Sequence, residues 1–336
     1  MAEGDGEVGK RPDARRPRPT IYQVADLAKV SPATVSRVFN GFNVSPKYAN
    51  AVKKAAADLG FRPNSAARTL RTRTSEVIAL VIADIENPFF TALARGVEDA
   101  ARSAGYSVVL CNSDEDHARE QTYLTIAASQ HMAGVIITPA SRETDVSEWL
   151  DQGRPVVSVD RTLTAASVDS VLVDNRAGAR EATRTLFDRG YTRIACIAGP
   201  KGTETADERV SGWRDVVLER DMEYRADYLV RSVAKDVGGR EAMNSLLALP
   251  EPPDAVFVGH NLMSIGVLEV MGTAGLHPET YGISVFGDLS FAAALIPPSV
   301  HFISLPAREM GEIAAKVILD RIAGDDQPAR TIIVRN

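Results

Sequence analysis

The chain of 336 residues is 45% hydrophobic and 24% charged, and it carries a net charge of −6. It is too long for one ordinary hydrophobic core, and it contains no apolar run of about 18 residues that would predict a membrane span. Its first residues do not form a hydrophobic secretory signal, so we expect a cytoplasmic protein that does not bind membranes.

The cysteines and histidines do not suggest a disulfide or a metal site. Cys111 and Cys196 lie in or at the end of apolar runs, which predicts buried, reduced thiols in a cytoplasmic protein. The five histidines are scattered without the spacing of metal ligands. We therefore expect neither a metal nor another cofactor.

Charge is distributed unevenly along the chain. Residues 1–75 contain 14 Lys and Arg against 6 Asp and Glu, a net charge of +8, so that the remaining residues carry −14. A basic head on an acidic body is typical of a protein that binds nucleic acid through its head. Residues 1–19 lack hydrophobic periodicity and predict a disordered tail, whose cluster of Arg15, Arg16 and Arg18 either reaches DNA phosphates or is simply solvated.

Two short helices with a tight turn between them are predicted from Thr20 to Asn40. Apolar residues recur at helical spacing in both segments, namely Ile21, Val24, Ala25, Leu27 and Ala28, and then Val35, Val38 and Phe39. Ser31 can cap the second helix, and Pro32 stands at its first position, where the missing N–H costs nothing. This pattern predicts either a helix-turn-helix motif or an ordinary helical hairpin with a polar face.

The exposed face of the second helix favours the helix-turn-helix. It presents small, hydrogen-bonding and cationic side chains, namely Pro32, Ala33, Thr34, Ser36, Arg37 and Asn40. In a DNA major groove, Arg37 could bind a guanine edge bidentately while hydroxyl groups hold phosphates. Ser45–Pro46 repeats the Ser31–Pro32 start, with Ser45 as the expected cap of a third helix that ends at Gly60 and whose apolar stripe closes a minimal core.

Three sequence motifs then identify a family resemblance. The order T-I-Y-x-V-A, S-x-A-T-V-S-R-V-x-N-G and F-R-P-N-x-x-A-R-x-L-R-T resembles the DNA-binding headpiece (20–63) and hinge helix (64–75) of the lac/galactose repressor (LacI/GalR) family. The resemblance implies DNA contacts from Thr20, Tyr22, Ser31, Pro32, Ala33, Thr34, Ser36, Arg37, Asn40, Asn64, Ala67 and Leu70.

The hinge segment is expected to fold only under restraint. Residues 64–73 are too few for a stable isolated helix, since helices shorter than about 12 residues are marginal in water. We expect them to become helical against their copy in a dimer, on DNA. In the family that this chain resembles, a leucine at the position of Leu70 wedges between base pairs in the minor groove; the alternative is that Leu70 is a core contact.

From Glu76 onward, short apolar runs alternate with amphipathic segments, which predicts parallel sheets covered by helices on both faces. The runs lie at 77–82, 106–110, 134–138, 155–160, 171–174, 193–199, 254–259 and 283–288. Ligands bind at the carboxyl ends of the strands in such sheets, and the residues found there are Asp84, Asn112, Asp160, Gly199, Asn261 and Asp288. The predicted fold class is a small all-α helix-turn-helix head and an α/β two-lobed core.

The resemblance extends over this core, residues 76–336. The motifs D-I-x-N-P-F-F at 84–90, V-D-R at 159–161, E-R-V-S-G-W at 208–213 and N-L-M-S-I-G at 261–266 resemble the effector-binding core of the same family, which is similar to periplasmic sugar-binding proteins. It implies lobe crossovers near 160, 290 and 322, and an effector site made of Phe89, Phe90, Asp160, Arg209, Asn261 and Asp288. The alternatives are that the two phenylalanines are plain core residues and that Arg209 forms a surface ion pair.

Three positions depart from the family pattern. Lys29 stands where the turn usually has glycine, Gly287 replaces an aspartate that often contacts sugar hydroxyls, and Ala234 stands where an aromatic ring often stacks on the ligand. The last two changes predict an effector that is larger than a simple monosaccharide, or acidic, such as an oligosaccharide, glycoside or sugar acid rather than a purine.

The resemblance therefore implies a ligand-responsive transcription factor, most often a repressor, that binds a near-palindromic operator as a homodimer. A sugar-binding transport receptor would share the core, but it would need a signal segment and no head. An enzyme would need a catalytic constellation, and the G-P-K-G-T segment at 199–203 lacks the ending of a phosphate-binding P-loop.

Overall fold

The computed structural model describes residues 19–39, 42–61, 75–164, 167–220, 225–289 and 295–335. The chain divides into two compact units, residues 1–72 and 73–336. The predictions for the tail, for the hinge and for Asn40, Asn64, Ala67 and Leu70 lie outside the described residues. Within the described ranges, no helix is both long enough and apolar enough to cross a membrane.

The described part of the first unit contains three helices around a small apolar core. They are α1 (Ile21–Ala28), α2 (Pro32–Phe39) and α3 (Pro46–Leu59). Val24, Val35 and Val52 are fully buried between them. Leu27 was predicted to share the apolar stripe of α1, but 51% of it is exposed, because the buried stripe of this short helix runs through Ile21, Val24, Ala25 and Ala28 instead.

Local hydrogen bonds set the ends of these helices. Thr20 caps α1 in a reciprocal pair with Gln23, and the hydroxyl of Ser31 accepts a hydrogen bond from the Thr34 N–H at 3.2 Å, as predicted for a cap. Gly60 ends α3 in the left-handed conformation. Ser45 stands at the N-cap position of α3, but its side chain makes no capping hydrogen bond, so that part of the prediction is wrong.

The turn between α1 and α2 contains a left-handed residue, although Lys29 stands where the family that the chain resembles usually has glycine. Lys29 has φ 53° and ψ 47°, and the Val30 N–H donates to the Ala25 carbonyl at 3.0 Å to close the turn. A left-handed conformation costs a non-glycine residue about 1–2 kcal/mol, because its Cβ crowds the following carbonyl oxygen. The head thus accommodates lysine at a local energetic cost.

The second unit is built on two parallel sheets, which confirms the predicted α/β class. The six-stranded sheet has the order β11-β5-β4-β3-β1-β2, with β1 Val77–Ile82, β2 Ser107–Asn112, β3 Gly134–Ile137, β4 Val156–Val159, β5 Asp169–Val173 and β11 Thr331–Val334. The five-stranded sheet has the order β10-β9-β8-β6-β7, with β6 Ile194–Ala198, β7 Leu229–Arg231, β8 Ala255–Val258, β9 Gly282–Phe286 and β10 His301–Ile303.

Helices cover the sheets and bury their apolar strands. The six-stranded sheet and its helices form the first lobe, and the five-stranded sheet and its helices form the second. On the first lobe the helices are α4 (Pro88–Ser103), α5 (His117–Ser129), α6 (Ser147–Asp151) and α11 (Ala307–Ile322). On the second lobe they are α7 (Asn175–Asp188), α8 (Glu204–Glu219), α9 (Asp236–Leu247) and α10 (Asn261–Thr273). Continuous apolar runs such as V-I-A-L-V-I in β1 are buried on both faces, as parallel strands require. Cys196 is buried in β6, whereas Cys111 on the edge strand β2 is only half-buried, contrary to its prediction.

Two passages between the lobes lie further along the chain than the positions near 160 and 290 that the resemblance implies, and the described residues show none near 322, because α11 packs on the six-stranded sheet and β11 pairs within it. Residues 169–173 pair with β4 and β11, so the chain leaves the six-stranded sheet after Val173. It returns after Ile303, where β10 ends and the segment leading to α11 begins. Strand pairing decides these points, and the hydrophobic runs do not carry that information.

Candidate functional site

A cleft of about 440 Å³ lies at the carboxyl ends of the strands of both sheets. Residues that follow strand ends line it, including Asp84 after β1, Asp160 after β4, Gly199 after β6 and Gly259 after β8. Its volume is within the range of about 300–1,000 Å³ usual for small-molecule sites. The cleft is therefore the candidate ligand site that the parallel topology predicts.

Five of the six predicted effector residues line this cleft, namely Phe89, Phe90, Asp160, Arg209 and Asn261. Phe89 and Phe90 begin α4, where the Asn87 side-chain oxygen caps the helix by accepting from the Phe89 N–H at 3.0 Å. Their rings meet edge to face with centroids 5.0 Å apart. Both rings also belong to the buried core of the first lobe, so they form the cleft wall and the core together.

Arg209 is buried and held from three directions. Its Nε donates to the Asn175 side-chain oxygen at 2.8 Å, one terminal nitrogen donates to the Gly259 carbonyl at 2.9 Å, and its guanidinium lies 4.0 Å from the Phe286 ring centroid. Burial lowers the pKa of Arg209 to about 10, against the attraction of Asp160. Arg209 is thus a fixed cation, and a surface ion pair is excluded by its burial.

A buried carboxyl group lies beside two guanidinium groups in the same cleft. Burial raises the pKa of Asp160, while the charges of Arg161 and Arg209 oppose that rise. Arg161 in turn donates to both carboxylate oxygens of Glu115 at 2.7 and 2.6 Å. The resulting chain of alternating charges joins the ends of β2 and β4 to helix α8 of the second lobe.

Three residues of the cleft have strained backbones. Asp114 (φ 56°), Glu115 (φ 57°) and Asp160 (φ 70°) are all left-handed and are not glycine. Such residues cost about 1–2 kcal/mol each and persist where their surroundings hold them. Their clustering at strand ends in one cleft indicates a functional constraint rather than a packing accident.

Polar contacts connect the two lobes across the cleft. Lys235 Nζ lies 2.7 Å from an Asp84 carboxylate oxygen, and the Asn261 side-chain NH₂ donates to the Asn87 side-chain oxygen at 3.0 Å. On another part of the rim, the Thr162 N–H donates to Glu204 at 2.8 Å. These contacts tie residues of the first lobe to the N-terminal ends of α8, α9 and α10.

His260 is a cleft residue that the sequence analysis missed. It precedes α10, with Nδ1 3.3 Å from the Leu262 backbone nitrogen and Nε2 3.3 Å from the Asn87 side-chain nitrogen. Burial, together with the charges of Arg209, Arg161 and Lys235, lowers the pKa of His260 to about 3. Its ring is therefore neutral near pH 7. Its position two residues after the end of β8 was the available signal, whereas Lys235 carries no such signal.

Asp288 lies away from the cleft lining. Its carboxylate accepts from the Ser304 hydroxyl at 2.8 Å and from the Leu305 N–H at 3.3 Å, and its carbonyl accepts from the Asn261 side chain at 3.1 Å. Asp288 borders an adjoining, mainly apolar pocket of about 410 Å³, which shares Phe89, Asn261 and Leu305 with the cleft lining. Its geometry therefore fits a role in holding the segment that returns to the first lobe.

Ala234 and Gly287 are the two residues of the core that depart from the family pattern. Ala234 lies on the cleft wall, as the sequence comparison expected. Gly287 is not among the residues that line the cleft in the described part of the chain, and its φ of 90° favours glycine. A Cβ at position 287 would lie 3.4 Å from Asn261 Cβ and 3.5 Å from Leu305 Cδ1, both of which line the cleft, so glycine here removes a side chain next to the cleft wall.

The predicted DNA-reading face of the head is available to solvent. Ser31, Ala33 and Arg37 are exposed, and Pro32, Thr34 and Ser36 are partly exposed along α2. Tyr22 on α1 is 67% exposed, whereas the Thr20 hydroxyl is engaged in capping α1.

Within the described ranges, no group of His, Cys, Asp and Glu could hold a metal ion.

Comparisons with known proteins agree with both units. The family described as "Bacterial regulatory proteins, lacI family" matches residues 20–64, and that described as "Periplasmic binding proteins and sugar binding domain of LacI family" matches residues 75–336. The chain is 36% identical to the HTH-type transcriptional regulator CelR of Thermobifida fusca, over 95% of this chain and 96% of CelR. It is 35% identical to the ribose operon repressor of Halalkalibacterium halodurans, over 90% of each chain.

Two solved structures extend these similarities. The complex of the transcriptional regulator CelR with cellobiose shares 33% identity and a TM-score of 0.68, over 95% of this chain and 97% of the other. The lac repressor dimer bound to operator and the anti-inducer ONPF has a TM-score of 0.84 over 95% and 97% of the two chains. At 22% identity, the similarity to the lac repressor structure shows that the two chains share a fold.

Proposed function

The chain belongs to the LacI family of bacterial regulatory proteins, and on that premise we propose that it is a repressor whose binding to a near-palindromic operator is controlled by a carbohydrate. Its relatives are transcriptional regulators, and it is a DNA-binding regulator rather than an enzyme. Its working compartment is then the cytoplasm, where operator DNA lies.

The exposed face of α2 carries the DNA-binding part of the proposal. Ser31 and Thr34 fix the start of the helix, and Arg37 projects from it with an exposed side chain. A helix with small residues at its N-terminal end can enter the major groove closely, and a single arginine can then bind guanine in a bidentate manner. A transport receptor would have no use for this head.

The edge of the first lobe supports homodimer formation. Among the described strands, β2 pairs with β1 alone and forms an edge of the six-stranded sheet, and Val109 and Leu110 on it are 41% and 38% exposed. An exposed apolar edge strand is a ready surface for association. A two-fold dimer places two heads on a two-fold symmetric operator.

The charge balance of the cleft favours a neutral, polyhydroxylated effector. Its lining includes four carboxyl groups and three cations. Each cation already lies near a carboxyl group, in the pairs Lys235–Asp84, Arg161–Glu115 and Arg209–Asp160. An anionic ligand would have to displace one of these acids, whereas sugar hydroxyls can donate to them. Of the expected classes, an oligosaccharide or glycoside is thus better supported than a sugar acid. A relative, CelR, forms a complex with cellobiose.

Fluorescence anisotropy and footprinting on genomic fragments test this function. We expect one or more protected, near-palindromic sites, and a change in operator affinity with cellobiose or methyl β-glucoside at concentrations where glucuronate has no effect. The absence of any sequence-specific site would exclude the repressor. A response to glucuronate alone would contradict the proposed effector class and leave the DNA-binding function intact.

A further inference from the structure

The turn after β2 is held in an unusual form beside the cleft. Asp114 and Glu115 are consecutive left-handed residues, and both line the cleft. The Glu115 N–H donates to the Ala83 carbonyl at 3.1 Å, and the Asp116 N–H donates to the Ser113 carbonyl at 3.1 Å. Two adjacent non-glycine residues rarely adopt this conformation without an external restraint.

Arg161 supplies such a restraint from a distant part of the sequence. Only 8% of Arg161 is exposed, and its two terminal nitrogens bind the Glu115 carboxylate bidentately at 2.7 and 2.6 Å. One of these nitrogens also donates to the Pro139 carbonyl at 3.2 Å. Arg161 therefore connects the segments that follow β2, β3 and β4, each of which contributes residues to the cleft lining.

We propose that Arg161 is a positioning residue of the effector site, which holds the left-handed Asp114–Glu115 turn in the form that binds ligand hydroxyls. This inference rests on the proposed function. The planar guanidinium can grip both oxygens of Glu115, whereas a lysine would bind as a point charge and leave the turn free to rotate. A turn that is already fixed lowers the entropy cost of ligand binding.

The same arrangement defines what the turn can recognise. Asp114 and Glu115 bring two carboxylates to the rim, next to the buried Asp160. Carboxylates accept hydrogen bonds and repel anions, so the fixed turn selects ligands with adjacent hydroxyl donors. Arg161 itself also lines the cleft, and the effect assigned to it here runs through Glu115 and the backbone of the turn.

A glycine rescue tests whether the backbone is the target of Arg161. Glu115→Gly and Glu115→Ala both remove the carboxylate partner, but only glycine adopts φ 57° without strain. In full-length protein, hydrogen exchange of the 112–118 segment should show lower protection in Arg161→Met. Protection should return in the Arg161→Met, Glu115→Gly double variant and stay low with Glu115→Ala. Arg161→Lys, which keeps the buried charge, should also lose protection.

Calorimetry with cellobiose and methyl β-glucoside measures the effect on binding. We expect Arg161→Met to weaken binding of whichever ligand the unaltered protein takes by about 10-fold, and Glu115→Gly to recover most of that loss where Glu115→Ala does not. Equal behaviour of the glycine and alanine double variants, in exchange and in affinity, would overturn the proposal. If the unaltered protein binds neither sugar while exchange follows the expected order, the carbohydrate function fails but the restraint of the turn by Arg161 is supported.

Discussion

The guanidinium of Arg209 stacks on the ring of Phe286, 4.0 Å from its centroid, so a buried cation is held on an aromatic face inside the cleft. The same side chain donates to Asn175 and to the Gly259 carbonyl. A cation–π contact of this kind becomes stronger as water is excluded. Arg209 is thus oriented before any ligand arrives.

Arg209→Lys is expected to weaken effector binding although it keeps the charge. Lysine cannot stack flat on Phe286 or donate in two directions at once, so one or two fixed hydrogen bonds are lost at about 1.5–3 kcal/mol each. Calorimetry with the carbohydrate panel measures the loss. Arg214→Lys, on the exposed side of the same helix α8, is the matched control and should bind normally. Equal affinities of the two variants would contradict a role for Arg209 in ligand binding.

The neutral state of His260 should make stability depend on pH. Its folded pKa of about 3 lies below its ordinary value of 6.5, so the unfolded chain binds more protons between these pH values. The contribution of His260 to the free energy of unfolding is fully present above about pH 6.5 and is lost as the pH falls toward 3. Urea unfolding from pH 4 to 7 measures this slope, and His260→Gln should flatten it. His277→Gln, at an exposed position, is the matched control. A slope that His260→Gln leaves as steep as in the unaltered protein would refute the assignment, whereas a smaller slope should remain because burial also lowers the pKa of His301.

Lys29→Gly is expected to stabilise the head. Glycine removes the cost of φ 53° at the end of α1, about 1–2 kcal/mol. Hydrogen exchange of α1 and α3 in the full chain should therefore slow. Lys54→Gly, which removes the same side chain from the interior of α3, should have the opposite effect at about 1 kcal/mol. Faster exchange in Lys29→Gly would show that the turn is not strained.

Arg37→Ala should weaken specific operator binding by about 1–3 kcal/mol if Arg37 makes a bidentate base contact. Fluorescence anisotropy at one fixed salt concentration measures the affinity for operator and for unrelated DNA. The loss should be larger for the operator, because base contacts carry the specificity and phosphate contacts do not. An equal loss on both DNAs would make Arg37 a phosphate contact.

Leu70→Ala should reduce DNA bending and operator affinity without altering dimer formation. Leu70 lies outside the described residues, so this prediction rests on the family motif F-R-P-N-x-x-A-R-x-L-R-T and on the energetics of an apolar wedge between base pairs. Circular-permutation gel shifts report the bend, and sedimentation reports the dimer. An unaltered bend would leave Leu70 as a packing residue.

Local sequence determined the elements that depend on neighbouring residues. Ser31 and Pro32 start α2, Gly60 ends α3, and apolar runs such as V-I-A-L-V-I became buried parallel strands, because caps, turns and periodicity act over a few residues. The rule that ligands bind at the carboxyl ends of parallel strands also predicted that Asp160 and Asn261 lie near one another, and both line the candidate cleft. The motifs that resemble the family added Phe89, Phe90 and Arg209.

Only the tertiary structure decided how these side chains are paired. Glu115 meets Arg161 across 46 positions, Asp84 meets Lys235 across 151, and Asn87 meets His260 across 173. Asp288 follows a strand end like Asp160, yet it turns to Ser304 instead of the cleft. Burial makes the pairing decisive, because a charged or polar group removed from water must find a partner wherever the fold brings one within reach. That choice depends on distances between strands and helices, which the order of residues along the chain does not contain.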